Sequence, residues 1–384
     1  MPSENQDTPH IYVALSGGVD SAVSAALLKE QGYQVTGAFI KTWQPDFLEC
    51  RAPVDREDAR QVAAHLNIPF TTIDLEDEYK QGVADLMIEE YRSGRTPNPD
   101  VLCNQKVKFG AFLNEALARG ADGIATGHYC RKGQRLTDNT SEVGEHTLLR
   151  GVDTNKDQSY FLWTLRQDQL SKTLFPVGEY TKPKVRELAK KFALPVATKK
   201  DSQGVCFLGK LNMKSFLSHY IDTQPGDVLN LRGEKIGHHD GALFYTLGQR
   251  HGFEVTKKTP TTGALYVVTK NTTSNTITVA EQDQRSAIDQ THVLTLMRVN
   301  WIGGECIDGE YDAQFRYRQP TRKVIVATDE KGVTVTFAEP QQAVSPGQSL
   351  VLYKDQECIG GGIIEKTVPK ATFQKPFEAL QSNV

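Results

Sequence analysis

In the first half of the chain, short continuous apolar runs alternate with segments whose apolar positions keep helical spacing. Ile11 to Leu15 predicts a buried strand, the Ala-rich segment Ala22 to Leu28 a helix stopped by Gly32, and Gln34 to Ile40 a second strand. Ala59, Val62, Ala63 and Leu66 hold a helical period that Asn67 and Pro69 end, and Phe70 to Asp74 reads as a third strand. Phe109 to Leu117 predicts another amphipathic helix, and Gly123 to Thr126 a short strand. Strands alternating with helices predict an α/β fold with a doubly wound parallel sheet, whose ligands bind outside the carboxyl ends of the strands.

The pattern changes after Gln224-Pro225-Gly226-Asp227. Val228 to Leu231, a turn at Gly233, Leu243 to Tyr245, Leu265 to Thr269 and Thr276 to Ala280 predict a small β-rich unit. From about Val293 the chain reads as all-β: Val293 to Trp301, Ala313 to Arg318, Lys323 to Thr328, Val333 to Phe337, Ser349 to Tyr353 and Cys358 to Ile364. Six short strands separated by polar turns predict a small barrel. The expected units are residues 1–215, 216–287 and 288–384.

Length supports this division, since 384 residues exceed the usual size of one core. With 39% hydrophobic and 24% charged residues the composition is that of a soluble globular protein. No apolar run approaches the roughly 18 residues that span a bilayer. Met1 to His10 contains Glu4 and Asp7, no Arg and no apolar core, so it reads as neither a secretory signal nor a transit peptide, and a cytoplasmic location is expected. Six cysteines without a C-x-x-C pair predict reduced thiols rather than a zinc ribbon or disulfide scaffold. A net charge of −3 disfavours non-specific nucleic-acid binding but leaves room for local basic patches.

The chemistry concentrates in a few stretches. Ser16-Gly17-Gly18-Val19-Asp20-Ser21 joins the first strand to the first helix. Adjacent glycines permit close backbone approach, the helix directs unsatisfied N–H groups at the same point, and the Ser16 and Ser21 hydroxyls add donors. This is an anion site, and Asp20 makes sense there if Mg²⁺ mediates between carboxylate and phosphate. No Walker A lysine and no G-x-G-x-x-G fingerprint is present. Ile40 and Gly127, at later carboxyl strand ends, offer backbone groups to the same ligand.

Two prolines in Thr96-Pro97-Asn98-Pro99-Asp100 predict a stiff loop delivering Asp100 and Cys103 together, with Lys106 and Lys108 able to lower the thiol pKa. His128 reads as a surface histidine, as do His238 and His239, which lack a third metal ligand. Lys182 to Lys200 holds seven basic residues against one acid, Glu187, either a solvated face or a phosphate footprint. Cys206 follows a glycine turn beside that segment. In Gln314 to Arg318, strand alternation puts Phe315 and Tyr317 on one face and Arg316 with Arg318 on the other.

The hexapeptide resembles the PP-loop of the ATP pyrophosphatase superfamily, whose members cleave ATP between the α and β phosphates. Taken with Asn98 to Cys103, Thr126 to His128, Lys156 to Tyr160 and Asp201 to Cys206, it is similar to the family of tRNA-specific 2-thiouridylases. That resemblance implies sulfuration at C2 of the wobble uridine, position 34, in tRNAs for Lys, Glu and Gln, using ATP, Mg²⁺ and a persulfide sulfur-donor protein. It implies ATP contacts at Ala14, Leu15, Ser16, Gly17, Gly18, Val19, Asp20, Ser21, Ile40 and Gly127. It also implies a persulfide on Cys206, a resolving nucleophile in Cys103 and an acid or base in Asp100. For tRNA it implies Asn98, Pro99, Asp100, His128, Lys156, Asp157, Gln158, Arg316, Tyr317 and Gln348. Another PP-loop enzyme with a different substrate, or a catalytically silent RNA-binding module, are the competing expectations.

Overall fold

The computed structural model describes residues 8–48, 52–135, 144–200, 213–256, 263–284, 290–305 and 308–369. Cys206, together with Asp201 to Val205, lies outside them.

Strand β1 (His10–Ala14) is central in a parallel sheet with β2 (Gln34–Lys41), β3 (Phe70–Asp74), β4 (Gly123–Ala125) and β7 (Thr173–Leu174), in the order β3-β2-β1-β4-β7. The period of two sorts its side chains: Ile11 and Val13 pack with helices α1 (Val19–Glu30) and α2 (Ala52–His65) and with Val185 and Ala189, whereas Tyr12 joins Tyr79, Met87 and Phe112 on the opposite face. Both faces are covered, as a doubly wound sheet requires. The strand order reverses at β1, so the turns after β1 and β4 share one crevice.

The expected loop at 96–103 is shorter than its prolines suggest. Asn98 caps a helix by accepting from the Asp100 and Val101 N–H groups at 3.1 and 3.3 Å, and Pro99 takes the first helical position, where a missing N–H costs nothing. Helical structure then continues to Ala118 through wide π turns at Cys103–Ala111. Asp100 and Cys103 therefore ride on one helix face a turn apart, and are not held by a loop.

The central sheet runs β10-β9-β8-β12-β11, from β8 (Gly226–Leu229), β9 (Lys235–His239), β10 (Glu254–Val255), β11 (Leu265–Asn271) and β12 (Thr276–Glu281). Leu243 to Tyr245 is not a strand; Ala242–Phe244 forms a 3-10 turn that buries Phe244. His239 is buried rather than surface, its Nδ1 accepting from the Gly241 N–H at 2.9 Å.

Strands β13 (Thr291–Trp301), β16 (Gly332–Gln341), β15 (Arg322–Asp329), β14 (Gly309–Gln314), β17 (Ser349–Lys354) and β18 (Glu357–Pro369) close through β13–β18 pairing into a six-stranded antiparallel barrel. Closure removes exposed edges. β14 ends at Gln314, so the alternation expected through Arg318 does not exist. Phe315 turns into the barrel core, while Arg318 takes a left-handed φ of 64°. Unforeseen in the sequence, the hairpin β5 (Cys130–Gln134) and β6 (His146–Arg150) pairs onto β18, with Leu148 opposite Cys358, so the barrel's sheet continues from residues of the first half.

Candidate active site

The loop after β1 is compact. Gly17 has φ 72°, and a β-carbon there would lie 2.3 Å from the Asp55 carbonyl oxygen, so only glycine fits. The Ser21 hydroxyl accepts from the Ser16 N–H and donates to the Gly18 carbonyl, both at 3.2 Å, and the Ser16 hydroxyl lies 3.2 Å from it. Leu15 and Val19 are buried, so only their backbone faces the crevice; Ala14 ends β1, and Ile40 packs against the core near the end of β2. Gly127, following β4, comes so close that a β-carbon would sit 2.8 Å from the Ser21 nitrogen and 2.9 Å from the Asp20 carbonyl carbon.

Asp20 is already engaged. The Tyr129 hydroxyl donates to its Oδ1 at 2.7 Å, and the Lys182 ammonium reaches Oδ1 and Oδ2 at 2.7 and 2.8 Å. Among the described residues no group of three or more His, Cys, Asp or Glu could hold a metal ion. The described residues therefore do not form a protein-held Mg²⁺ site.

The basic segment resolves into individual partners. Lys184 pairs with Glu187, Lys191 with Glu30, and Arg186 donates to the Ala197 carbonyl at 3.1 Å. Lys199 bonds Asp55 at 2.8 Å, Asp58 at 2.6 Å and the Gly17 carbonyl at 3.0 Å. Burial works against its charge, but the two carboxylates outweigh that and raise its pKa. Lys182, Lys199 and Tyr129 thus belong to the crevice, and the sequence reading missed all three as site residues. The signal was the density of lysines near Lys182 and Lys199, which a solvated face or an RNA footprint explained equally well.

His128 is 8% exposed, and its Nδ1 lies 2.8 Å from the Thr126 hydroxyl, with the Phe109 ring at 5.6 Å. It is a packed histidine, not the expected surface one. Burial, with Lys108 adding, holds its pKa well below the usual value, so it is neutral. Burial raises the Asp100 carboxyl, with Lys108 opposing. Cys103 is only 4% exposed. Gly127-His128 therefore touches the loop at 16–21 on one side and the helix bearing Asp100 and Cys103 on the other.

A second focus forms around Thr96. Its N–H donates to the Pro346 carbonyl at 3.1 Å, its own carbonyl accepts from the Gln348 side chain at 2.7 Å, and its hydroxyl lies 3.1 Å from that of Thr246. Barrel and central sheet thus both clamp the approach to Asn98 and Pro99. Tyr160 donates to the Ser349 carbonyl at 3.0 Å; burial raises its pKa, while Arg316 and a hydrogen bond from Asn98 act against the rise. Tyr317 packs its ring 4.5 Å from that of Phe161. Arg316 donates to the Leu247 and Ala343 carbonyls at 2.6 and 2.8 Å.

Asp157 is a framework residue: it accepts from Arg150 at 3.0 Å, from the Gly151 and Ser159 N–H groups at 3.1 Å each, and from the Ser159 hydroxyl at 3.0 Å. Gln158 exchanges bonds with the Tyr129 backbone, and Lys156 is half-buried beside them. Two clefts flank this face, about 430 Å³ lined by Arg316, Arg322 and Glu339, and about 240 Å³ lined by Arg150, Tyr317 and Arg318. Each cleft sets arginines beside an aromatic ring, with one carboxylate, Glu339 or Asp157, in its lining.

Residues 9–210 match a family model described as a tRNA methyl transferase HUP domain, 214–281 a tRNA methyl transferase PRC-barrel domain, and 291–364 an aminomethyltransferase beta-barrel domain. The tRNA-specific 2-thiouridylase MnmA of Bacillus subtilis (strain 168) is 43% identical over 97% of this chain and 99% of its own. That of Streptococcus thermophilus (strain CNRZ 1066) is 44% identical over 95% and 97%. Among solved structures, a U34-tRNA thiolase from Methanococcus maripaludis aligns over 55% of this chain and 63% of its own, at 15% identity and a TM-score of 0.34.

Proposed function

The chain belongs to the family of tRNA-specific 2-thiouridylases, and we propose that it is a tRNA-uridine 2-sulfurtransferase that thiolates the wobble uridine, position 34, of tRNAs for Lys, Glu and Gln at the expense of ATP. The uracil C2 oxygen belongs to a urea-like carbonyl and is a poor leaving group. Transfer of AMP to that oxygen, with loss of pyrophosphate, makes it a good one. A persulfide carried by Cys206 then attacks C2, and Cys103 releases the sulfur by forming a disulfide with Cys206 as AMP departs. A persulfide protein reloads Cys206 once the disulfide has been reduced.

The observation that carries this reading is the position of Gly127-His128. Gly127 lies against the anion-ready turn at Ser21, and His128 against Phe109 on the helix bearing Asp100 and Cys103, so activation and sulfur transfer have neighbouring stations. The uridine must leave its stack to reach them. We assign Asn98 to Asp100 to the base, with Asp100 as acid or base or as its positioner. Lys156 to Gln158, Arg316, Tyr317, Gln348 and His128 are assigned to tRNA recognition, directly or by shaping the contact. Ser16 to Ser21, the backbone of Ala14 and Leu15, Ile40 and Gly127 are assigned to ATP. Mg²⁺ is proposed only as the companion of the nucleotide phosphates. Work on tRNA fits the expected cytoplasmic location, and no helix among the described residues is long and apolar enough to cross a membrane.

Nucleoside mass analysis of tRNA incubated with enzyme, ATP and a persulfide source tests the reading. Wild type should form 2-thiouridine, Cys206→Ser should fail to load sulfur, and Cys103→Ser should load sulfur without turning over. Loss of ATP–pyrophosphate exchange would remove the PP-loop assignment. Exchange without any thiouridine would favour another PP-loop enzyme, and neither activity a silent RNA-binding module.

A further inference from the structure

Lys182 opens the helix Lys182–Lys191, and its position is fixed at both ends. Its backbone N–H donates to Asp153 Oδ2 at 2.8 Å, and its side chain is only 12% exposed, with the ammonium spanning both oxygens of Asp20. The Tyr129 hydroxyl holds the same carboxylate, and its ring centroid lies 5.9 Å from the ammonium. Asp20 is the second residue of α1, in the turn whose N–H groups face the crevice. A cation sequestered this deeply at an anion site is not explained by surface solubility.

ATP brings several negative charges to this point, and the Asp20 carboxylate alone would repel them. Lys199 is tied to Asp55, Asp58 and the Gly17 carbonyl, which commits it to holding the loop's shape. Lys182 combines positive charge, a flexible stem and a partner within the loop itself.

We propose that Lys182 is a catalytic residue of the adenylation step, its ammonium passing from Asp20 to the α-phosphate when ATP binds. In that step the uridine C2 oxygen attacks the α-phosphorus, and the bond to the β-phosphate breaks with its electron pair leaving on pyrophosphate. The uracil N3 proton is released to solvent. Charge that gathers on the non-bridging α-phosphate oxygens is met by the lysine. Asp20 is the resting partner that keeps the ammonium aimed at the turn, and Tyr129 keeps the carboxylate in place once the lysine has left. This assignment rests on the thiouridylase reading.

The test combines Lys182→Met, Lys182→Arg, Asp20→Asn and the double variant, with α,β-methylene-ATP as a non-cleavable binding probe and tRNA-dependent pyrophosphate exchange as the rate. Lys182→Met should lose at least ~100-fold in exchange at saturating ATP, and Lys182→Arg should recover part of it. Because Lys182→Met leaves Asp20 without its cation and could unfold, the decisive comparison is made with both charges removed. In the Asp20→Asn background, Lys182→Met should still weaken probe binding about tenfold. Equal affinity of Asp20→Asn and the double variant would show that the lysine serves only Asp20 and would overturn the proposal, as would wild-type exchange in Lys182→Met. Wild-type protein that binds no ATP overturns the nucleotide-loop reading and this proposal with it, an outcome separable from the others because it precedes any substitution.

Discussion

Gly127→Ala is expected to damage adenylation far more than folding. Gly127 does not lie in the left-handed region, so alanine meets no backbone strain there, and the penalty is purely steric. Its new methyl would stand 2.8 Å from the Ser21 nitrogen, 2.9 Å from the Asp20 carbonyl carbon and 3.1 Å from the Asp20 β-carbon. Ordinary contacts lie near 3.5 Å or beyond, so the end of β4 and the start of α1 must separate by roughly 0.6 Å or more. Two of the three opposing atoms are backbone and cannot rotate aside. Overpacking of this kind costs about 1–3 kcal/mol, a loss of roughly 5 °C in melting temperature for a unit of this size. Misplacing reacting groups by up to about 1 Å costs ~100-fold in rate, so tRNA-dependent pyrophosphate exchange should fall between ~10- and ~100-fold. Gly120→Ala is the control: Gly120 has φ 85° and nothing within 4 Å of its β-position, so it should lose ~1–2 kcal/mol of stability without a specific loss of exchange. Folded Gly127→Ala that exchanges at the wild-type rate, or Gly120→Ala that loses exchange to the same degree, would show that this close approach does not set the site.

Two further outcomes follow from the geometry. Arg316→Ala removes charged donors from the Leu247 and Ala343 carbonyls, so it should loosen the seat of the central sheet on the barrel by ~2 kcal/mol and weaken tRNA binding. If the guanidinium also meets a phosphate, the salt slope of tRNA binding should fall by about one, and an unchanged affinity and slope would leave it a structural strut. Neutral, buried His128 sets a pH limit: its folded pKa is depressed, so below an unfolded value of ~6.5 only the unfolded chain takes up the proton. Stability should therefore decline as pH falls below the unfolded value, and urea titrations of His128→Asn should show a flatter slope between pH 6.5 and 5. A slope equal to that of wild type would mean that His128 titrates in the folded protein.

The parts of the fold legible in the sequence are those whose period is set by one neighbour. Ile11 to Leu15 and the glycine turn after it announce a strand and an anion site because each residue's role depends on the next. The same holds for the strand runs of the barrel. Legibility failed where a distant partner decides the outcome. Asn98 turns a proline-rich stretch into a helix start, because its side chain can cap the N–H groups that the second proline leaves behind. Lys182 looked like one of many solvated lysines, since nothing near it in sequence reveals that Asp20, 162 positions away, receives its charge. Gly347 is the clearest case: with φ 91° and a β-position 2.7 Å from the Thr96 nitrogen, it exists to let a barrel turn touch the chain just before Asn98.

That contact also ties the barrel to the helix bearing Asp100 and Cys103. The base-side helix begins at Pro99, and Thr96, two residues before its cap, is held from outside the parallel sheet, by Pro346 and Gln348 of the barrel and Thr246 of the central unit. A tRNA seated on the Arg316 to Arg318 turn would press on elements bonded directly to that clamp, since Arg316 joins Leu247 to Ala343 and Tyr317 packs on Phe161, whose carbonyl accepts from Asn104, the residue after Cys103. Cys103 is buried in this state, so the sulfur transfer proposed for it requires that its helix or its surroundings shift.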